Sequence, residues 1–350
     1  MNKPLSLRSF AKIAGVSPAT VSHVFSHTRS VLPATESRIR QLAEEVGYTP
    51  NIAAKSIFGK STRSIGILFS NFTGYYTMEI AEALQEKFLS NGYLPIFLEA
   101  GRNAEQPLTR LAQHKVDALL IGCSNERLNI PANCRKRLES IPLIQFDNIH
   151  PGICADSVLN EDYDGGRQAG IHFLKLGHKR FAACIYGEEN SNSRTRLAGF
   201  QDAISLNDGI LENDHIIRLG FQNKIEIEFQ KVLEHFEKIF HQPDPPTAVF
   251  ATMYPVALLV YRAALNAGLR VPEDVSIIGF GNDYFLQSRP PRLTRIHQDP
   301  IRMAEKLFEV TLRKLEHPED PISEYRIPVR LVPGDSTGPA PAQKSRVSNP

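Results

Sequence analysis

From Ser64 onward the chain alternates short, uninterrupted apolar runs with amphipathic stretches, and this alternation restricts the fold more than any other feature. The runs at 65–69, 94–98, 118–121, 143–146, 181–186, 216–219, 248–250 and 275–280 have the length of strands and little polar alternation. Strands that are apolar on both faces must be covered on both, as in parallel sheets flanked by helices. The stretches 78–90, 165–176, 196–206, 225–240 and 256–267 read as those helices. Ten or so strands are many for one compact sheet. The sequence therefore predicts an α/β body of two lobes, with a cleft at the carboxyl ends of their strands.

The first 63 residues follow a different rule. They hold nine Lys and Arg against three Glu, so this head carries +6 while the rest of the chain carries −4, within an overall +2. A basic head on a slightly acidic body implies a polyanionic partner for the head. Ser6 can cap a helix over 7–14, with Leu7, Phe10, Ala11 and Ala14 on one face. Gly15 supplies the turn. Ser17 caps a second helix, with Pro18 at its first position and Val21, Val24 and Phe25 turned inward. A third helix over 33–46 carries Ile39, Leu42, Ala43 and Val46. Two short helices about a glycine turn form a helix-turn-helix unit, whose second helix enters the major groove.

Three motifs then make a resemblance. Residues 11–22 (Ala-Lys-Ile-Ala-Gly-Val-Ser-Pro-Ala-Thr-Val-Ser) resemble the N-terminal signature of the lac repressor (LacI/GalR) family. Residues 47–57 resemble its hinge helix, and 62–66 its entry into the sensor domain. The resemblance implies that Ser17, Pro18, Ala19, Ser22 and His23 face DNA, with Pro18 and Ala19 at the base-selecting positions. Neither can make a bidentate hydrogen bond, although both can touch a thymine methyl. His23 stands where the family usually carries Arg, and neutral His offers guanine one donor instead of two. Ser6, Leu7 and Ser26 are expected on the phosphate backbone. In the hinge, Asn51 caps a helix too short to be stable alone, expected to form against DNA and the partner copy. Ala54 permits close approach to the minor groove. Ile57 takes the place of a family Leu that wedges a central base step.

The resemblance extends over about residues 5–335 and implies a sensor like the periplasmic sugar-binding proteins, with lobes joined near 156–162, 291–297 and 324. Residues 176–180, 196–200, 267–280 and 291–294 carry the landmarks. Arg196 matches the family's effector-binding Arg, suited to a hydroxyl pair, a carboxylate or a phosphate. Elsewhere the cleft departs from the pattern. Met253-Tyr254 and Gly281-Asn282 replace acidic clamps for sugar hydroxyls, and Gly74-Tyr-Tyr-Thr77 replaces an early Asn-Pro-Phe-Phe. Tyr254 and Asn282 are thus candidate ligand contacts, and Tyr76 or Phe72 could stack on a sugar or base. Three effector classes stand open: a free sugar, a phosphorylated or carboxylated metabolite on Arg196, or no small molecule. The anionic class is slightly favoured, since competing acids are gone.

The expected organisation is a head at 1–49, a hinge at 50–62, a sensor and dimerisation domain at 63–335, and a disordered, Pro- and Ser-rich tail at 336–350. The tail lacks heptads, so a homodimer on a near-palindromic operator is expected. No run approaches the length of a membrane span, and residues 1–14 lack the apolar core of a secretory signal, which favours the cytoplasm. Cys123, Cys134, Cys154 and Cys184 form no Cys-x-x-Cys pair and read as buried free thiols. No cofactor or metal pattern is present. Gly59-Lys-Ser-Thr62 fails as a phosphate loop because position 54 is Ala, and Gly279-Phe-Gly281 fails as a dinucleotide fingerprint because position 284 is Tyr. A transport-type binding protein or an α/β enzyme are the alternatives. The basic head opposes the first, and the absence of a nucleophile–base constellation opposes the second.

Overall fold

The computed structural model describes residues 5–26, 31–49, 61–101, 104–123, 128, 130–220, 225–282 and 291–342. The expectations placed on Asn51, Ala54 and Ile57 lie outside the described residues. The chain divides into two compact units, Met1–Thr62 and Arg63–Pro350.

The first unit holds α1 (Leu7–Ala14), α2 (Pro18–Ser26) and α3 (Pro33–Val46). The Ser9 amide donates to Ser6 Oγ at the start of α1, and Gly15 ends it in the left-handed region at φ 65°. Phe10, Ala11, Ala14, Val21, Val24, Ile39, Ala43 and Tyr48 form its core. Phe10 stacks on Tyr48 with centroids 4.0 Å apart. Leu7, expected on the apolar face, is instead 40% exposed. Ser6, Leu7, Arg8 and Ser9 all lie at the surface, because this first turn precedes the packed stretch that begins at Phe10.

The second unit contains two six-stranded sheets, ordered β11-β5-β4-β3-β1-β2 and β12-β10-β9-β8-β6-β7. The first lobe's strands are β1 (Ser64–Phe69), β2 (Leu94–Glu99), β3 (Ala118–Gly122), β4 (Leu143–Phe146), β5 (Asp156–Asn160) and β11 (Glu324–Ile327). The second lobe's are β6 (Arg180–Tyr186), β7 (Ile210–Leu219), β8 (Ala248–Ala251), β9 (Ser276–Phe280), β10 (Thr294–His297) and β12 (Arg330–Val332). The pairings are parallel except that β12 runs antiparallel to β10. Helices α4 (Tyr75–Ser90), α5 (Glu105–Gln113), α6 (Ala132–Leu138) and α11 (Pro300–Glu316) belong to the first lobe, and α7 (Asp162–Lys175), α8 (Ser191–Ser205), α9 (Ile225–Phe240) and α10 (Tyr254–Asn266) to the second. Buried apolar clusters lie on both faces of each sheet, as uninterrupted apolar strands require.

The chain passes between lobes at 161, 298–299 and 328–329. The last two crossings fall a few residues beyond the expected segments. There β10 and β11 complete their pairing with β9 and β5 before the chain turns.

Two expectations need correction. Residues 336–342 are not a disordered tail. The Ser336 hydroxyl donates to the Ile277 carbonyl (2.6 Å) and accepts from the Thr294 amide (2.9 Å), and the Ala340 amide donates to the Leu176 carbonyl (2.8 Å). Backbone and hydroxyl groups hold this segment against β9 and β10, where composition alone suggested solvation. Residues 343–350 lie outside the described residues. Of the four free cysteines, Cys154 is exposed and not buried, since it sits in the surface turn before β5.

Candidate functional site

Two surfaces carry the sequence-derived candidates. On the head, the Ser17 hydroxyl accepts from the Thr20 amide (3.0 Å) and starts α2. Ser17, Pro18 and Ala19 are exposed, and Ser22 and His23 are half-buried. Val21 and Val24 anchor the opposite face in the core. Period 3.6 thus separates a packed stripe from a face that can reach a groove. Ser26 ends α2. Two of the head's bases have structural roles. Arg38 donates to the carbonyl of Ala14 (3.0 Å) and Arg40 to that of Val24 (2.9 Å), so each binds a late carbonyl of a neighbouring helix. Arg40 also pairs with Glu36 at 2.8 Å.

In the second unit, polar groups collect where both lobes' strands end. Asp147 follows β4 in the left-handed region, at φ 63°, which a non-glycine residue rarely adopts. Its carboxylate accepts from Asn192 Nδ2 (3.1 Å), Asn148 Nδ2 (3.3 Å) and Asn160 Nδ2 (3.4 Å). Asn160 also donates to the Tyr76 hydroxyl (2.9 Å). The first turn of α8 faces this loop across the lobes. The Ile149 amide donates to Ser191 Oγ (3.0 Å), and the Asn192 amide donates to Asn148 Oδ1 (3.4 Å).

Arg196, one turn further along α8, is buried. Its Nε donates to Asp162 Oδ1 (2.7 Å), its Nη1 donates to the Thr252 carbonyl (2.9 Å), and its guanidinium lies 3.8 Å above the Phe280 ring. Helices α7 and α8 approach closely enough to make this pair because glycines face each other. A Cβ on Gly166 would stand 1.9 Å from the Arg196 carbonyl oxygen, and one on Gly199 1.9 Å from that of Tyr163.

The candidates are only partly brought together. Tyr76 reaches the Asp147–Asn160 cluster through its hydroxyl, and Phe72 packs edge-on to Phe69 at 5.5 Å. Asn282 is buried, with Nδ2 donating to the Gln298 carbonyl (2.8 Å) and Oδ1 unpartnered. Tyr254 is 1% exposed and belongs to the second lobe's core, where it and Ala257 pack against Gly279. It is therefore a packing residue in this conformation, not a cleft wall. The expectation that competing acids are gone also fails. Asp162 is buried and Asp147 half-buried, and Arg196 is already paired. Sequence reading missed Asp147, Asn160, Asp162 and Asn192. Their signal is positional: each stands at the end of a buried strand or in the first turn of a following helix.

Burial sets the electrostatics. It raises Asp162 to about 6, against the opposing charge of Arg196, and raises Asp147 against Arg196 and its amide donors. Burial also lifts the Tyr76 phenol well above its ordinary range, helped by Asp147. A carboxyl whose folded value lies above its unfolded one holds its proton longer when folded, so its contribution to stability falls as pH rises between the two. The stability of the natural protein relative to Asp162→Asn is accordingly expected to fall between about pH 4 and 6 and to stay level above. Urea unfolding across that range measures it, and a flat difference would show that Asp162 titrates in the folded protein as it does in the unfolded chain.

A basic three-helix head joined to a two-lobed α/β body with polar groups at its strand ends defines a class: the DNA-binding regulator with a sensor domain. Residues 6–51 match the bacterial regulatory proteins, lacI family, and residues 171–337 match the periplasmic binding protein-like domain. The chain is 30% identical over 324 residues to the HTH-type transcriptional repressor PurR of Haemophilus influenzae (strain PittEE), covering 91% of this chain and 94% of that one. It is 30% identical over 345 residues to the PurR repressor of Erwinia tasmaniensis, covering 97% and 99%. The chain belongs to the LacI family of bacterial regulatory proteins. Among solved structures, the lac repressor dimer bound to operator and the anti-inducer ONPF matches with TM-score 0.80 at 22% identity, covering 96% of this chain and 100% of that one. The regulator CelR in complex with cellobiose matches at 0.67 and 21%, covering 95% and 99%. Both show the fold. No helix among the described residues is long and apolar enough to cross a membrane.

Proposed function

We propose that this chain is a cytoplasmic, dimeric repressor whose grip on a near-palindromic operator is set by a small molecule held between the sensor lobes, and that it works by binding alone without catalysing a reaction. The observation that carries the reading is the pairing of an exposed α2 face with a body whose strand ends bury unpartnered polar atoms, Oδ1 of Asn160, Asn190 and Asn282 among them. Native proteins rarely leave such atoms unsatisfied, and a ligand is one way to satisfy them. In this reading Ser17, Pro18, Ala19, Ser22 and His23 read or abut base edges, and Ser6, Leu7 and Ser26 hold the phosphates. Asn51, Ala54 and Ile57 form the hinge contact in the minor groove. The sensor runs from 63 through at least 342. The effector must bind two lobe arrangements unequally, since equal affinity shifts nothing.

Selection of random duplexes with the full chain tests this directly. Enrichment of one near-palindrome is expected, and recovery of no preferred sequence would remove the repressor reading. On the selected operator, Ile57→Ala should weaken specific binding by at least about tenfold while leaving non-specific binding nearly unchanged, since a wedge acts only at a deformable step. Equal losses on both DNAs would remove Ile57 from that role.

A further inference from the structure

We propose that the cleft is built for a cationic ligand, a small molecule bearing a protonated amine or amidine whose charge is met by Asp147. This rests on the effector reading above and gives it a ligand class.

Charges in the cleft do not balance. Arg196 and Asp162 neutralise each other at 2.7 Å, and the guanidinium also meets the Thr252 carbonyl and the Phe280 face. Asp147 receives only amide hydrogens from Asn148, Asn160 and Asn192. Amides can satisfy its lone pairs but bring no charge, and Arg196 is already paired with Asp162, so the half-buried Asp147 has no ion-pair partner of its own among the described residues at the end of β4. The loop bearing it turns through the left-handed region at φ 63°, which Asp adopts more readily than most residues.

The unsatisfied atoms point the same way. Asn160 must turn its Nδ2 toward the Asp147 carboxylate, because its oxygen would be repelled there. Its Oδ1 is then left without a partner in a fully buried side chain. Asn282 must turn Nδ2 toward the Gln298 carbonyl, which leaves its Oδ1 unpartnered. Asn190 Oδ1 is a third. Three amide oxygens lack donors and one carboxylate lacks a counter-charge, and an ammonium or amidine carries several donors with that charge. Tyr76, beside Asp147, adds an aromatic ring of the kind that attracts cations. An anion would have to draw Arg196 from Asp162 while facing Asp147. A neutral ligand would leave Asp147 uncompensated.

The test is a thermal-shift series on the full chain with probes matched in shape and differing in charge: glucosamine, glucose and glucose 6-phosphate, and putrescine, 1,4-butanediol and succinate. Stabilisation by amine members alone is expected, reaching a few degrees near saturation, with affinity reduced at least about tenfold in Asp147→Asn. The charge series is read on the natural protein, so it stands even if the variant does not fold. Stabilisation by neutral or anionic members without the amines overturns the ligand class while keeping an effector. An amine effect indifferent to Asp147→Asn overturns the assignment to this carboxylate. Silence across both sets overturns the proposal and tells against the effector reading as well.

Discussion

Phe10→Ala is expected to unfold the head and abolish operator binding while leaving the sensor's melting transition in place. Phe10 is fully buried, stacks on Tyr48 at 4.0 Å and lies 6.5 Å from the Phe25 ring. Truncating a buried Phe costs about 3–5 kcal/mol through lost transfer energy and the cavity left behind. At about 0.05–0.15 kcal/mol per residue, a head of this size has only a few kcal/mol in total, so one substitution removes most of its stability. The sensor is a separate compact unit with its own clusters, so it should be untouched. Calorimetry of the full chain reads both transitions, and a gel shift reads the function. Leu32→Ala, at a residue 76% exposed, is the matched control and should change neither. A Phe10→Ala protein that still bound the operator would show that the α1–α2–α3 core is not what positions the reading face.

The strands were legible wherever burial on two faces forced an apolar run. The expected 65–69 and 275–280 agree with β1 and β9 to within a residue at either end. They were not legible at sheet edges. The strand β7 begins at Ile210, six residues before the expected 216, because its first half is largely exposed at the end of the second sheet and carries Glu212, Asn213 and Asp214. Composition also misread 336–342. That segment is held by hydroxyl and backbone hydrogen bonds, for which Ser, Thr, Gly and Pro give no apolar signal.

The site was least legible for a related reason. Helices were located by their apolar periodicity, so α7 was expected at 165 and α8 at 196, whereas they begin at Asp162 and Ser191. The missing turns are polar, and they hold Asp162, Ser191 and Asn192, the groups that meet at the lobe junction. A polar first turn reads as loop in sequence. In the fold it is satisfied by partners more than thirty residues away, which local pattern cannot contain. Arg196 was found because a family motif marks it, but its pairing with Asp162 depends on the facing glycines of α7 and α8. No spacing along the chain shows that those helices touch.

Arg196→Ala is expected to destabilise the sensor by about 3–5 kcal/mol even without ligand, because it leaves Asp162 buried and unpaired. In a domain of this size that corresponds to a fall in melting midpoint of roughly 10 °C. The side chains are 7% and 4% exposed, so water does little to screen the pair. Asp162 is already raised to about 6 with its partner present, and losing the cation should raise it further toward the neutral acid. The decisive comparison is the double variant Asp162→Asn, Arg196→Met, which removes both charges and keeps most of the volume. More than half of the loss should return, since contacting residues are not additive and an uncharged pair escapes the cost of the orphaned carboxylate. If Arg196 were held in reserve for an anionic effector, its removal would cost the empty sensor little, and Asp162→Asn alone would be nearly neutral. Urea unfolding of the three variants separates the two pictures. The pair also fixes the helix that presents Ser191 and Asn192 to the opposite lobe, so a large loss with recovery in the double variant would make Arg196 the brace behind the lobe contact. Ligand charge would then be left to Asp147.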